Sequence, residues 1–300
     1  MHPVQTRRSC LLTVHAHPDD ESEFGAPSVA RYHHQGVRTV LVCCTDGGSG
    51  RILNPEVGTV GDRTNIAQIR REELKVAAAI VGYDEVVMLD YPDSGSVDQE
   101  ERSPNCFARV PLVGPVRRVV EVIRRERPDV IVTYADDQRA YPHPDHMRAH
   151  EVAVSAFDAS GDPNAFPELG PPWQPVKLYY SVTSRERRRL INEKYVALGM
   201  DEPFTARAGA GLQGRGDPEL APPEARVTTR IDVSPFAYKW IEGMRAHRCQ
   251  LKPALLQTLA IDPEAVPDVY GTDEYILARD LTSGDEVANA DETDLFARVG

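Results

Sequence analysis

The sequence predicts an α/β protein built on a doubly wound (Rossmann-like), mostly parallel sheet, followed by a smaller C-terminal α+β segment. Three observations carry this. Short apolar runs alternate with longer amphipathic stretches through the first half, as parallel strands joined by crossover helices do. Clusters of His and Asp follow directly on the apolar runs. After residue 157 the texture shifts to Gly- and Pro-rich connections. Taken in order, Leu11–Val14, Thr39–Cys44, Val86–Leu89 and Val130–Tyr134 read as four strands. Helices are expected at about Pro27–Gln35, Arg63–Val81, Val113–Arg127 and His146–Phe157. In the second, Ile66, Ile69, Leu74, Ala77, Ala78 and Val81 share one face, and Gly82 stops the helix. Farther on come a strand at Lys177–Val182, a helix at Arg185–Leu198, a strand at Arg226–Val233, a helix at Pro235–Cys249 and a strand at Glu274–Asp280. The expected division is a metal-binding catalytic core over 1–157 and a segment over 158–300 that completes the fold and the substrate pocket. From Ala288 the chain reads as a loosely held tail.

A chain of 300 residues can bury a core without disulfides or structural metals. Its net charge of −12 argues against a nucleic-acid partner and suits a soluble protein. The five cysteines form no C-x-x-C pair, and Cys43 and Cys44 read as small core residues. No apolar run approaches the roughly 20 residues that a spanning helix needs, and the start does not read as a signal peptide. A cytoplasmic enzyme acting on a small molecule is expected, and a homo-oligomer is compatible with this composition.

In a doubly wound sheet, ligands bind beyond the carboxyl ends of the strands. Four polar clusters fall there: His15 to Glu21, Asp46 to Gly50, Asp90 to Gly95, and Asp136-Asp137 with Tyr141 to His146. A catalytic zinc site takes three ligands from His and carboxylate and leaves one position open. His17 and Asp20 flank a proline-fixed turn and face one ion, and His146 completes the set from the fourth strand's loop. Asp19 points away from Asp20 and is free to act as general base. His143 and Tyr141 are candidate donors to a developing oxyanion. One Zn2+ per chain is expected, with Fe2+ as the alternative. The roles of His15, Asp136 and Asp137 stay open between structural support and chemistry.

The pair His17-Pro18-Asp19-Asp20-Glu21 and His143-Pro144-Asp145-His146 resembles the LmbE-like, PIG-L-type zinc deacetylases and amidases. The resemblance runs through Gly25, Gly47-Gly48, Arg70-x-x-Glu73 and Asp93-Ser94-Gly95, over roughly residues 11–157. Ile52-Leu53-Asn54-Pro55 and Tyr141 to His146 look most like mycothiol S-conjugate amidases within that family. It implies an α/β fold, hydrolysis of a linear amide in a glucosaminyl-inositol (pseudo-disaccharide) thiol conjugate, and zinc on His17, Asp20 and His146. It also implies Asp19 as base, His143 and Tyr141 on the oxyanion, and Arg70 and Asp93 near the sugar or inositol. Deacetylation of an N-acetylglucosaminyl-inositol is the neighbouring activity.

The chain departs from the amidase pattern at Phe24, where those enzymes carry lysine, at Gln138-Arg139-Ala140, and at Ser49-Gly50-Arg51. Phe24 accordingly reads as an apolar substrate contact beside the metal loop. A nucleotide-binding dehydrogenase would need a glycine-rich turn where His17-Pro18-Asp19-Asp20 stands, and a serine hydrolase would need a G-x-S-x-G that does not occur. A non-catalytic metal- or sugar-binding module would have no use for an unligated Asp19.

Overall fold

The computed structural model describes residues 7–99, 101–136, 142–204, 225–282 and 292–300. Five parallel strands, β1 (Cys10–His15), β2 (Arg38–Thr45), β3 (Glu85–Tyr91), β4 (Val130–Tyr134) and β5 (Lys177–Val182), stand in the order β3-β2-β1-β4-β5. Two later strands extend the same sheet to seven: β7 (Thr272–Asp280) runs antiparallel beside β5, and β6 (Thr229–Asp232) antiparallel beside β7. The chain winds outward from β1 to β3, then crosses back to place β4 on the other side of β1. The winding thus reverses between β1 and β4, at whose carboxyl ends this topology places ligands.

β1 is buried along its whole length, and its alternation divides two cores. Leu12 and Val14 face Val119, Val120 and Ile123 of α4 (Val113–Glu126) and Val152, Ala153 and Phe157 of α5 (Pro144–Ser160). Leu11 faces the opposite side, with Val29 and Tyr32 of α2 (Ala26–His34) and Leu74, Ala78 and Val81 of α3 (Ile66–Val81). All five cysteines are buried. Gly82 ends α3 with φ 100°, a conformation that side chains resist, and His33 packs close against it.

The expected strands match the observed ones to within a few residues, and the differences have local causes. α3 begins at Ile66 rather than Arg63 because Asn65 turns left-handed, with φ 57°. α5 begins at Pro144, capped by His143. The expected helix Pro235–Cys249 is a helix at Tyr238–Ala246 between two single 3-10 turns, Ser234–Phe236 and Arg248–Gln250. Short helices at Asp20–Glu23 (α1), Pro253–Thr258 and Val266–Tyr270 escaped the sequence reading, being too short to show a period. α6 (Arg185–Ala197) stands where expected, and Ser184 caps it.

The loose tail is a correction. Residues 292–300 are tied down: the Leu295 side chain is fully buried, its N–H donates to the Tyr32 hydroxyl at 2.7 Å, and Glu292 pairs with buried Lys177 at 3.0 Å. Residues 288–291 lie outside the described ones. Among the described residues no helix is long and apolar enough to cross a membrane.

Candidate metal and catalytic site

The site forms where β1 and β4 end. The β4 residue Tyr134 reaches across: its hydroxyl accepts from Ala16 N–H and donates to Asp20 Oδ2, both at 2.7 Å. Asp20 Oδ2 also accepts from the His17 N–H at 2.7 Å, which locks the turn. Asp20 thereby spans two imidazoles, with Oδ2 3.2 Å from His17 Nδ1 and Oδ1 3.3 Å from His146 Nε2. Donors that share one tetrahedral ion at about 2.0–2.1 Å stand about 3.3 Å apart; each contact has about that length, and Asp20 reaches the two imidazoles through different oxygens. All three side chains are buried. Among the described residues two sets bring their ligand atoms within 4.8 Å of one another, His17 with His143 and His146, and His17 with Asp93 and Asp145; Asp20 stands in neither set.

The charges favour a cation as well. Burial alone would lower the His17 pKa, yet the carboxylates of Asp145 and Asp20 outweigh it and hold it well above the usual value. Burial likewise opposes ionisation of Asp20, but His146 and His17 hold its pKa well below the carboxylate range.

His17 presents its second nitrogen to another carboxylate. Nε2 lies 3.2 Å from Asp145 Oδ2, and Asp145, wholly buried, is held in turn by the N–H (2.9 Å) and hydroxyl of Ser94. A carboxylate behind a ligating imidazole fixes its tautomer and raises its basicity. The same helix start sets His143, whose Nδ1 accepts from the Asp145 N–H at 3.2 Å. The ring proton therefore sits on Nε2. Burial beside His17 and His146 pushes the His143 pKa down to about 3, so at neutral pH it is an uncharged donor.

Asp19 turns to Arg70. It is half-exposed and carries φ 131°, ψ −26°, a conformation that costs an L-residue roughly 1–3 kcal/mol. Burial of its carboxyl, with Asp20 adding to it, raises the pKa; Arg70 opposes that rise. Arg70 Nη2 sits 2.9 Å from Asp19 Oδ1 and donates to Pro18 C=O at 2.6 Å, while Nη1 donates to Gly47 C=O at 3.1 Å. A side chain on Gly47 would strike the guanidinium, which explains the glycine there. Arg70 is buried, with its guanidinium turned to Asp19, Pro18 and Gly47.

Asp93 is half-buried beside the site, its Oδ1 3.8 Å from His17 Nε2 and accepting from the Gly95 N–H at 2.8 Å. Phe24 is half-buried and packs edge-on to Tyr134 and His146, at centroid distances of 5.4 and 6.0 Å. Tyr141, Asp137 and Gln138 to Ala140 lie outside the described residues. Asp136 forms a bidentate pair with Arg226 at 2.6 and 2.8 Å, a tie between β4 and the C-terminal segment. His15 is buried, neither ring nitrogen is hydrogen-bonded among the described residues, and burial lowers its pKa to about 4, which makes it a neutral packing ring between Phe24 and Tyr134.

Residues 12–157, which carry every one of these site residues, match the family described as PIG-L, GlcNAc-PI de-N-acetylase. The chain is 32% identical to the mycothiol S-conjugate amidase of Streptomyces coelicolor over 96% of its own length and 97% of that protein. The chain belongs to the PIG-L family. A second member, the 1D-myo-inositol 2-acetamido-2-deoxy-α-D-glucopyranoside deacetylase 1 of Frankia alni, is 35% identical over 95% of this chain and 99% of its own. Among solved structures, N,N'-diacetylchitobiose deacetylase from Pyrococcus horikoshii superposes with a TM-score of 0.61 at 16% identity, over 90% of this chain and 84% of that one, and shares the fold. As a PIG-L protein the chain is a hydrolase of amide bonds.

Three residues around the site were not singled out by the sequence reading: Tyr134, Ser94 and Asp145. Asp145 stood in the motif as a letter, but its role depends on Ser94, which a different loop supplies. Tyr134 read only as the end of a strand.

Proposed function

We propose that this PIG-L protein is a zinc-dependent amidase that cleaves the amide of a glucosaminyl-inositol substrate, with mycothiol S-conjugates as the substrate class and the cytoplasm as its setting. The observation that carries the reading is Asp20 standing between His17 and His146 while Asp19, next in sequence, faces Arg70 instead. His17, Asp20 and His146 would hold the ion, Zn2+ or Fe2+. When bound, a divalent cation supplies Lewis acidity to the amide carbonyl and lowers the pKa of water. Asp19 takes the proton from the attacking water. Neutral His143 donates from Nε2 to the carbonyl oxygen as it gains charge, with Tyr141 as a second donor. Asp93 lies beside the ion site where a sugar hydroxyl would approach, and Arg70 backs the same wall. Phe24 offers apolar area there, and residues 158–300 complete the pocket.

A second reading within the same chemistry, deacetylation of an N-acetylglucosaminyl-inositol, is favoured by the 35% identity to the Frankia alni deacetylase. Assay of the metal-loaded protein against that acetylated pseudo-disaccharide and a set of mycothiol S-conjugates separates the two. Higher kcat/KM on the conjugates is expected; preference for the acetyl compound would establish the deacetylase instead. Elemental analysis is expected to give about one equivalent of zinc or iron per chain, as an open three-ligand site holds one ion. No bound metal with turnover intact would end the metallohydrolase reading.

A further inference from the structure

Behind the Asp19 loop lies a buried pair that joins the first strand's loop to the C-terminal segment. Glu21 and His247 are fully buried, and His247 Nε2 stands 2.7 Å from Glu21 Oε1. The His247 Nδ1 has no hydrogen-bond partner among the described residues, so the imidazole is aimed at Glu21 alone. Ser22 donates to the same Oε1 at 2.5 Å, while the other oxygen, Oε2, accepts from the Asp19 N–H at 3.0 Å. That amide belongs to the residue with φ 131°. The hydrogen bond opposes relaxation of the strained Asp19 backbone, and Arg70 holds the carboxylate from the far side.

His247 is itself well anchored. It ends the helix Tyr238–Ala246, and Gly243 in that helix lies so close to Ser22 that a side chain there would collide with it. The following turn is stapled to the core: Cys249 N–H donates to Glu73 at 2.7 Å, and Asn54 donates to Arg248 C=O at 3.1 Å. Burial opposes charge on both partners, yet His247 holds the Glu21 pKa below its ordinary value and Glu21 raises that of His247.

We propose that His247 is a positioning residue for the general base: acting through Glu21, it fixes the Asp19 backbone so that the carboxylate meets the attacking water. The proposal rests on Asp19 being the base. It gives the C-terminal segment a part in turnover without any contact to substrate.

The test uses the full-length, zinc-loaded chain and hydrolysis of 1D-myo-inositol 2-acetamido-2-deoxy-α-D-glucopyranoside. His247→Leu is expected to lower kcat about 10- to 100-fold, the scale of a misplaced catalytic group. KM should stay within about two-fold, because substrate binding is untouched. Metal content should hold at about one equivalent. His247→Gln, which keeps a donor for Glu21, should recover most of the activity, and Glu21→Gln should show the kcat loss even if His247→Leu does not fold. In an Asp19→Ala background the His247 change should cost nothing further, since residues acting through one group are not additive. Amide hydrogen exchange across His17–Ser22 should quicken in His247→Leu. Losses that multiply in the double variant, or that fall on KM or metal content, would make His247 merely structural and overturn the proposal. An Asp19→Ala variant that keeps its turnover would instead refute the base assignment, while the exchange measurement still reports whether His247 holds the Asp19 amide.

Discussion

At the amino ends of the parallel strands, Asp84, Glu126 and Asp129 each meet more than one donor. Asp129 accepts from the Cys10 N–H at 2.9 Å and pairs with Arg7; Asp84 accepts from the Thr39 N–H at 3.0 Å and faces Arg8; Glu126 pairs with Arg38 at 2.7 Å and with Arg125. At the carboxyl ends, Asp20, Asp93 and Asp145 crowd around His17, within 3.2–3.8 Å of its ring nitrogens. One rim of the sheet is neutralised by guanidinium groups and backbone amides, and it serves the fold. Among the described residues, the other gathers three carboxylates around one imidazole. The same residue types do opposite work according to whether the chain supplies their counter-charge.

Substitutions at the two rims should therefore move different observables. Asp19→Ala should lower kcat by about 10²–10⁴-fold, the usual worth of a general base, with metal content and melting temperature nearly unchanged. A variant within a few-fold of wild type would shift the base to another group. Asp145→Asn weakens the carboxylate behind His17 and should reduce metal affinity by about 10–100-fold, read by competition with a chelator. At the neutralised rim, Asp129→Ala strands the buried Cys10 N–H and should cost about 1–3 kcal/mol of unfolding free energy with kcat intact. A drop in kcat there would break the contrast between rims.

The smallest expected effect is Glu126→Gln. Burial works against the Glu126 charge, but Arg125 and Arg38 hold its pKa below the ordinary carboxylate value. A depressed folded-state pKa gives stability that is present above about pH 4.3 and is lost as pH falls through the folded value. The variant should thus be less stable than wild type at pH 7 by up to about 1 kcal/mol. That gap should close on acidification. An equal gap at low pH would show that packing, not charge, is responsible.

Features coded by neighbouring residues were legible in the sequence. The apolar runs gave β1 to β5, and the His17-to-Glu21 and His143-to-His146 stretches marked the carboxyl ends of β1 and β4, because each motif is written in one short stretch of chain. What depends on distant partners was not. Glu21 meets His247 across 226 positions, and Asp19 meets Arg70 from another helix; no local period records either contact. Arg70, placed near the sugar by resemblance, has its guanidinium turned to Asp19, Pro18 and Gly47. The tail read as loose because the last residues of a domain are usually poorly ordered unless tied down. Its anchors, Tyr32 and Lys177, sit far upstream.

The buried cysteines carry a consequence for reactivity. Burial raises the thiol pKa of Cys10 to about 12, and burial with the Glu73 carboxylate does the same for Cys249; Cys43 and Cys44 are pushed up as well. At pH 7 a thiol of pKa about 12 is ionised in about one molecule in 10⁵. Since the thiolate is the nucleophile, these groups are poor targets for alkylating agents and for exchange with small disulfides. A cysteine introduced at an exposed position such as Val113 should then take a maleimide label with little competition from Cys10, Cys43, Cys44 or Cys249.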